Sequence, residues 1–150
     1  MIKKVYFFNE ETAKKAVVRN DTAMISISDD KDVELPDWGN RVLRLQFHDI
    51  DQRHLDKYPG LVVEYNVFNE DQAKQIVDFL NKLDNQVDTI YVHCSAGVSR
   101  SAGVAFFIAE KYDVPINKQS VEYFGKNYRI YNKLVYSTLR KADECLKNLK

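Results

Sequence analysis

The residues best suited to chemistry are a cysteine and an arginine separated by five positions, in the stretch His93-Cys94-Ser95-Ala96-Gly97-Val98-Ser99-Arg100-Ser101. Five residues are few enough for their backbone N–H groups to curl around one anion. A helix that follows them would point its positively polarised N-terminus at the same place. The guanidinium of Arg100 adds a planar fork of donors that fits two phosphate oxygens. This spacing predicts a phosphate-binding loop with Cys94 at its rim.

The place of Cys94 on that rim predicts a nucleophile. A loop that holds a dianion also stabilises a thiolate, which is the reactive form of cysteine. Phosphate bound in the loop would lie against the sulfur, as covalent catalysis at phosphorus requires. The alternative interpretation is a buried structural cysteine with an arginine nearby by chance.

The sequence on either side predicts the elements that position this loop. The β-branched and aromatic residues Ile90-Tyr91-Val92 indicate a buried strand over 87–93. The segment 102–109 is apolar on all sides except Gly103 and indicates a central helix over 98–112. A strand, a short loop with glycine and a helix follow one another, so the loop should lie at the carboxyl end of a strand.

The rest of the chain predicts an α/β protein with its site at the carboxyl ends of the strands. Asn69, with Gln72 at the capping-box position, predicts the start of a helix with a buried stripe up to Leu83. We expect a polar, functional loop over 48–65. Further strands are expected over 4–8, 22–28 and 41–47, and further helices over 10–18, 117–127 and 131–149.

Length and composition are typical of one globular domain, with 150 residues, 45% apolar and 29% charged. The 22 basic and 22 acidic residues balance, so no global field favours nucleic acid or a membrane surface. An apolar run at 5–8 is too short for a signal peptide, and no run reaches the roughly 18 residues of a membrane span. We therefore expect a single domain over 1–150, monomeric, with neither a nucleic-acid nor a membrane partner.

Two cysteines, Cys94 and Cys145, do not make a disulfide framework and fit a reducing, cytoplasmic compartment. We expect Cys145 to be a small core residue of the last helix. His48 and His54 lack the spacing of metal ligands, so no metal site is expected. For Tyr128, Tyr131 and Asn132, before the last helix, the preferred interpretation is core aromatic residues and an Asn helix cap.

The pattern His-Cys-x5-Arg-Ser resembles the signature loop of the cysteine-based protein phosphatases. Residues 95–101 are similar in particular to the dual-specificity and small microbial tyrosine-phosphatase branch. This resemblance implies a three-layer α/β fold with a central, mostly parallel sheet of about four to five strands flanked by helices. It also implies a cofactor-free phosphatase that acts on phosphorylated proteins through a cysteinyl-phosphate intermediate. Phosphotyrosine is the expected substrate, and phosphoserine and phosphothreonine stay open.

The resemblance also assigns residue roles within the stretch. His93 would orient the loop and tune the thiolate, and the Ser101 hydroxyl would hydrogen-bond the sulfur and help it leave in the second step. The residues that would bind the substrate phosphate are Ser95, Ala96, Gly97, Val98, Ser99 and Arg100.

The reaction also needs a proton donor. Attack at phosphorus expels an alkoxide or phenoxide, which must take a proton from a carboxylic acid. In the family this acid lies on a loop that follows a strand, and the loop after 41–47 offers Asp49 and Asp51. We favour Asp49, with Asp51 as the alternative. Glu64 and Asp56 come next, whereas Asp37 is discounted because it precedes the strand.

Functions of other classes remain open at this point. A binding module could capture phosphoproteins without turnover, and an RNA 5′-phosphatase or arsenate reductase could use the same scaffold. The signature loop carries no lysine, whereas phosphoinositide phosphatases often do, and this argues against a lipid substrate.

Overall fold

One sheet of six strands forms the centre of the computed structural model, which describes residues 1–118, 121–123 and 130–148. The strands are β1 (Lys4–Asn9), β2 (Thr22–Ser28), β3 (Val42–Gln46), β4 (Thr89–Cys94), β5 (Ile116–Lys118) and β6 (Val121–Tyr123). The helices are α1 (Glu10–Lys14), α2 (Gln52–Lys57), α3 (Leu61–Glu64), α4 (Glu70–Asn81), α5 (Arg100–Tyr112) and α6 (Lys133–Asn148).

The strand order across the sheet is β3-β2-β4-β1-β5-β6. Neighbours from β3 to β5 are parallel, and β6 pairs antiparallel with β5 at the edge. β4 therefore lies inside the sheet, with β1 and β2 on its two sides. The predicted α/β fold with a mostly parallel central sheet is confirmed, and the sheet has one short edge strand more than expected.

Alternation along the strands divides the apolar residues between the two faces of the sheet. Val5 and Phe7 of β1 belong to a large core cluster that also contains the buried faces of α4, α5 and α6. Phe8 of the same strand packs in a smaller cluster with Ala13 of α1 and Trp38. The sheet thus has helices α4–α6 on one face and α1 with the 31–41 segment on the other, which is the expected three-layer arrangement.

The helix expected over 117–127 is wrong wherever the structure describes that segment. Ile116–Lys118 and Val121–Tyr123 are strands, and 119–120 and 124–127 lie outside the described residues, as does Tyr128. Val5 of β1 pairs with Ile116, and Asn117 Nδ2 donates to the Val5 carbonyl at 3.3 Å. Pairing with the open edge of β1 has overridden a weak local preference for helix.

Three smaller expectations also change. α1 ends at Lys14, four residues before the expected end. The 48–65 segment is not all loop, because it contains α2 and α3. Cys145 is exposed on α6, so the expectation of a core residue is wrong. Within the described ranges, no helix combines the length and apolar character that crossing a bilayer requires.

Gly103 sets how closely the start of α6 approaches α5. A Cβ atom at Gly103 would lie 2.7 Å from the Asn132 backbone oxygen and 3.2 Å from Val135 Cβ. The first of these contacts is with backbone and cannot be relieved by a rotamer change. The missing side chain therefore allows residue 132 to reach the end of the sheet that carries Cys94.

Replacing Gly103 tests this packing. An alanine in a helix interior normally stabilises a protein by about 1 kcal/mol relative to glycine. We expect Gly103→Ala instead to lower the free energy of unfolding by about 1–3 kcal/mol, because the added methyl overpacks the α5–α6 contact. Urea denaturation measures the change.

Gly60→Ala is the matched control, since a Cβ at Gly60 meets no described atom within 4 Å. Its φ of −64° is also open to any residue, so this variant should be neutral or slightly stabilised. Equal stability of the two variants would contradict the close approach at Gly103.

Candidate active site

Cys94 is the last residue of β4 and is buried, with 2% of its surface exposed. Its Sγ lies 3.1 Å from the Oγ of Ser101, which is in the first turn of α5 and fully buried. A serine hydroxyl can donate to a thiolate as well as accept from a thiol. The sequence therefore brings sulfur and hydroxyl together across the intervening loop, in the strand-loop-helix order that the pattern predicts.

The loop itself packs against the end of β1. Gly97 has a φ of +67°, a region that favours glycine. A Cβ there would lie 2.4 Å from both the Asn9 backbone nitrogen and the Phe8 carbonyl carbon. Glu10 N donates to the Ser95 carbonyl at 3.3 Å. These contacts fix the curl of the loop, while Ser95, Ala96 and Val98 remain exposed at its surface.

The first turn of α5 has amides without a side-chain cap. Ser99 occupies the N-cap position, but its side chain makes no capping hydrogen bond. Instead its Oγ donates to Asp49 Oδ1 at 2.9 Å. A helix N-terminus that lacks a capping side chain keeps donors and a partial positive charge for an anion. α5 has 13 residues, so its dipole is well developed.

Arg100 is held beside the loop by partners from two other strand ends. Its side chain is 6% exposed and its Nη1 donates to Asp29 Oδ1 at 2.5 Å. The same nitrogen donates to the Phe47 carbonyl at 2.7 Å. Asp29 follows β2 and Phe47 follows β3. A buried guanidinium needs such partners, and no described residue hydrogen-bonds the other two nitrogens, Nε and Nη2. Asp29 was not predicted as a site residue, because its only signal in the sequence is its place at a strand end.

Asp49 lies at the centre of a tight turn directly after β3. Ile50 N donates to the His48 carbonyl at 2.9 Å, which closes a three-residue turn around Asp49. Asp49 Oδ1 accepts from Ser99 Oγ and from Asn132 Nδ2, both at 2.9 Å. Asp49, the preferred candidate for the acid, is thus hydrogen-bonded to Ser99 in the loop that follows Cys94.

Asp51 has a different environment. Its Oδ1 accepts from Gln52 N at 2.7 Å, as the N-cap of α2, and from Leu134 N at 3.1 Å at the start of α6. Asp51 N in turn donates to His54 Nδ1 at 2.9 Å, which completes a capping box. The carboxylate is therefore used to cap two helices.

The other carboxylates that were considered are engaged elsewhere or exposed. Asp37 Oδ1 accepts from Gly39 N at 2.9 Å within its own turn. Asp56 Oδ1 accepts from Gln52 Nε2 at 2.9 Å on α2. Glu64 is exposed on α3. Among the described residues, none of these three carboxylates makes a hydrogen bond to the Cys94 loop.

Asn132 joins the site from the start of α6. As expected, it caps the helix, because its Oδ1 accepts from Val135 N at 3.0 Å. It also contacts the site, since its Nδ2 donates to Asp49 and its backbone N donates to the Ser99 carbonyl at 3.0 Å. Only the cap was predictable from the sequence, because the partners of Asn132 in the site lie far away along the chain.

His93 lies under the loop, fully buried at the end of β4. Its Nε2 lies 2.6 Å from Ser26 Oγ of β2, which fixes the ring. Burial lowers the pKa of His93 to about 4, and Arg44 and Arg100 lower it too, whereas the Cys94 backbone acts in the opposite direction. The Nδ1 atom of the ring has no hydrogen-bond partner among the described residues. The imidazole is therefore neutral at pH 7, and it supports the strand end without adding charge.

Together these residues can bind an oxyanion and act on it covalently. The N-terminus of α5 begins at the end of this loop with Arg100 as its first residue, and the Asp49 carboxylate is hydrogen-bonded to Ser99 of the same loop. Among the described residues, no group of three or more His, Cys, Asp or Glu side chains is arranged to hold a metal ion. The chain matches no protein-family model and no curated protein sequence.

The pH dependence of stability tests the environment of His93. Its pKa is about 4 when folded and about 6.5 when unfolded. Between these values the unfolded chain binds a proton that the folded protein does not, so stability falls as pH drops from 6.5 towards 4. The loss should amount to about 3 kcal/mol and should level off below pH 4.

The comparison is with His93→Gln, in which an amide nitrogen can replace Nε2 towards Ser26. Urea denaturation between pH 4 and 7 should show a weaker slope for this variant, even if its stability at pH 7 is lower. Parallel curves for the two proteins would contradict the burial of a neutral imidazole at this position.

Proposed function

We propose that the protein is a cysteine-dependent phosphatase that hydrolyses phosphotyrosine on proteins, and phosphoserine and phosphothreonine stay open as further substrates. The observation that carries this proposal is the hydrogen bond that Ser99 Oγ donates to the Asp49 carboxylate. It couples a candidate acid to the loop of a candidate nucleophile, Cys94. A carboxyl group held beside the loop of the nucleophile is what protonation of a leaving oxygen requires.

In the first proposed step the Cys94 thiolate attacks phosphorus. A bond forms between sulfur and phosphorus, and the bond from phosphorus to the ester oxygen breaks. The loop amides and the Arg100 guanidinium stabilise the charge on the three remaining oxygens. Asp49 gives its proton to the leaving oxygen, so the alcohol or phenol departs neutral.

In the second proposed step water attacks the cysteinyl phosphate. Asp49, now ionised, takes a proton from that water, and the bond between sulfur and phosphorus breaks. Ser101, whose Oγ lies 3.1 Å from Sγ, stabilises the departing thiolate by donating a hydrogen bond. Inorganic phosphate is released and the starting protonation of Asp49 is restored.

Removing the thiol tests the proposed nucleophile. Cys94→Ser should lose hydrolysis of para-nitrophenyl phosphate while it still binds phosphate or vanadate, because the loop and Arg100 remain. The wild type should be alkylated by iodoacetamide at Cys94, and phosphate should protect it. Steady-state kinetics, calorimetry and peptide mass spectrometry measure these three properties.

Cys145→Ser is the matched control, since Cys145 is an exposed thiol on α6. This variant should keep wild-type turnover. Near-normal turnover in Cys94→Ser would remove the covalent mechanism. Phosphate binding without turnover in the wild type would favour a non-catalytic phosphoprotein-binding module, and a panel of phosphopeptides, RNA 5′-triphosphate and arsenate separates the remaining alternatives.

The two neighbouring aspartates give a paired test of the acid. Asp49→Asn should slow hydrolysis of phenyl phosphate by roughly 10²–10⁴-fold, the usual effect of removing a positioned acid. The loss in kcat/KM, which reports the first step, should shrink for dinitrophenyl phosphate, whose leaving group is a weak base and needs no proton. The basic limb of the pH–rate profile should also flatten.

Asp51→Asn serves as the comparison, because an asparagine oxygen can still cap α2 and α6. We expect a modest loss of stability and little change in rate. Exchange of these two behaviours would move the acid to Asp51. A lack of leaving-group dependence in both variants would contradict an acid at either position.

A further inference from the structure

The side-chain amide of Asn132 is buried, with 1% of the residue exposed, and all its bonding groups are used. Its Nδ2 donates to Asp49 Oδ1 at 2.9 Å and to the Ile50 carbonyl at 3.1 Å. Its Oδ1 accepts from Val135 N at 3.0 Å. A buried amide satisfied on both sides has one favourable position.

The helix cap determines which end of this amide faces the acid. Val135 N can only donate, so it requires the oxygen of Asn132 on the helix side. The nitrogen is then directed at Asp49. The backbone of Asn132 makes a second hydrogen bond to the site, which its N donates to the Ser99 carbonyl. Asn132 therefore fixes Asp49 in relation to both α6 and the Cys94 loop.

Both side-chain donors on Asp49 use the same oxygen. Ser99 Oγ and Asn132 Nδ2 each donate to Oδ1, and no described residue donates to Oδ2. Ser99 belongs to the loop, whereas Asn132 belongs to the start of α6. Two donors from different elements prevent rotation of the carboxyl group, which one donor alone would permit.

We propose that Asn132 is a positioning residue that, with Ser99, holds Asp49 by Oδ1 and so leaves Oδ2 to carry the proton for the leaving group. This role rests on the proposed phosphatase function. It predicts that loss of the Asn132 donor slows the first step, in which Asp49 gives its proton to the leaving oxygen. The affinity for phosphate should not change.

Asn132→Ser separates positioning from capping. Serine is as good an N-cap as asparagine, but its short side chain cannot also reach Asp49. Because small misplacements of a catalytic group are costly, kcat/KM for phenyl phosphate, which reports the first step, should fall by about tenfold or more. For dinitrophenyl phosphate kcat/KM should stay close to that of the wild type, because its leaving group needs no proton. A merely structural role would lower both rates equally.

Asn132→Asp gives a second readout and keeps a capping oxygen. A carboxylate beside Asp49 creates a pair that holds a shared proton to higher pH. The basic limb of the kcat profile for phenyl phosphate should therefore move up by about one pH unit. This limb can be measured in whatever fraction of the variant folds.

Asn69 provides the matched control. It is the N-cap of α4, its Oδ1 accepts from Gln72 N at 2.9 Å, and it makes no described contact with Asp49. Asn69→Ser and Asn69→Asp should change neither the leaving-group dependence nor the pH limb.

The outcomes separate this role from the proposed function. The positioning role alone is overturned by the following results. The wild type hydrolyses both esters and depends on Asp49, yet Asn132→Ser slows both esters equally and Asn132→Asp does not shift the basic limb of the pH–rate profile. If the wild type hydrolyses neither ester, the proposed function is overturned and this role with it.

Discussion

The burial of Arg100 is the constraint on which the rest of the site depends. A guanidinium that is nearly excluded from water must find fixed acceptors, or the fold loses several kcal/mol. Here the acceptors are Asp29 and the Phe47 carbonyl, which follow β2 and β3. Because α5 starts at Arg100, satisfying this one side chain aligns the helix N-terminus with the ends of two parallel strands. The loop from Cys94 must then curl through the space that remains, and Gly97 meets the backbone at the end of β1.

Hydroxyl groups connect the reactive side chains to this frame. Ser101 lies against the sulfur, Ser99 donates to Asp49, and Ser26 lies beside the buried His93. Each hydroxyl comes from a regular element or its cap, so the partners are held at fixed distances. A neutral imidazole under the loop supports the strand end without adding charge. Under the proposed function, one buried cation and several neutral donors would be available to bind the negatively charged substrate.

The parts that were predictable from sequence are those encoded locally. The strand, loop and helix around Cys94 follow one another without interruption, and Asn69 with Gln72 forms the expected capping box. Asp29 and Asn132 were not assigned to the site, because each reaches it through contacts 71 and 83 residues away along the chain. The strand Ile116–Lys118 was missed for the same reason, since it pairs with β1 at the other end of the sequence. Local patterns indicate elements, whereas partners across the sheet depend on topology.

The central claim is that phosphorus becomes bonded to Cys94 during turnover, and rapid acid quenching measures this most directly. Asp49→Asn should accumulate the intermediate with dinitrophenyl phosphate, because the first step needs no acid there and the second lacks its base. Peptide mass spectrometry should then find one phosphoryl group on the peptide that contains Cys94, and none in Cys94→Ser. Steady turnover without a phosphoryl group on that peptide, or with the group on another residue, would contradict the account.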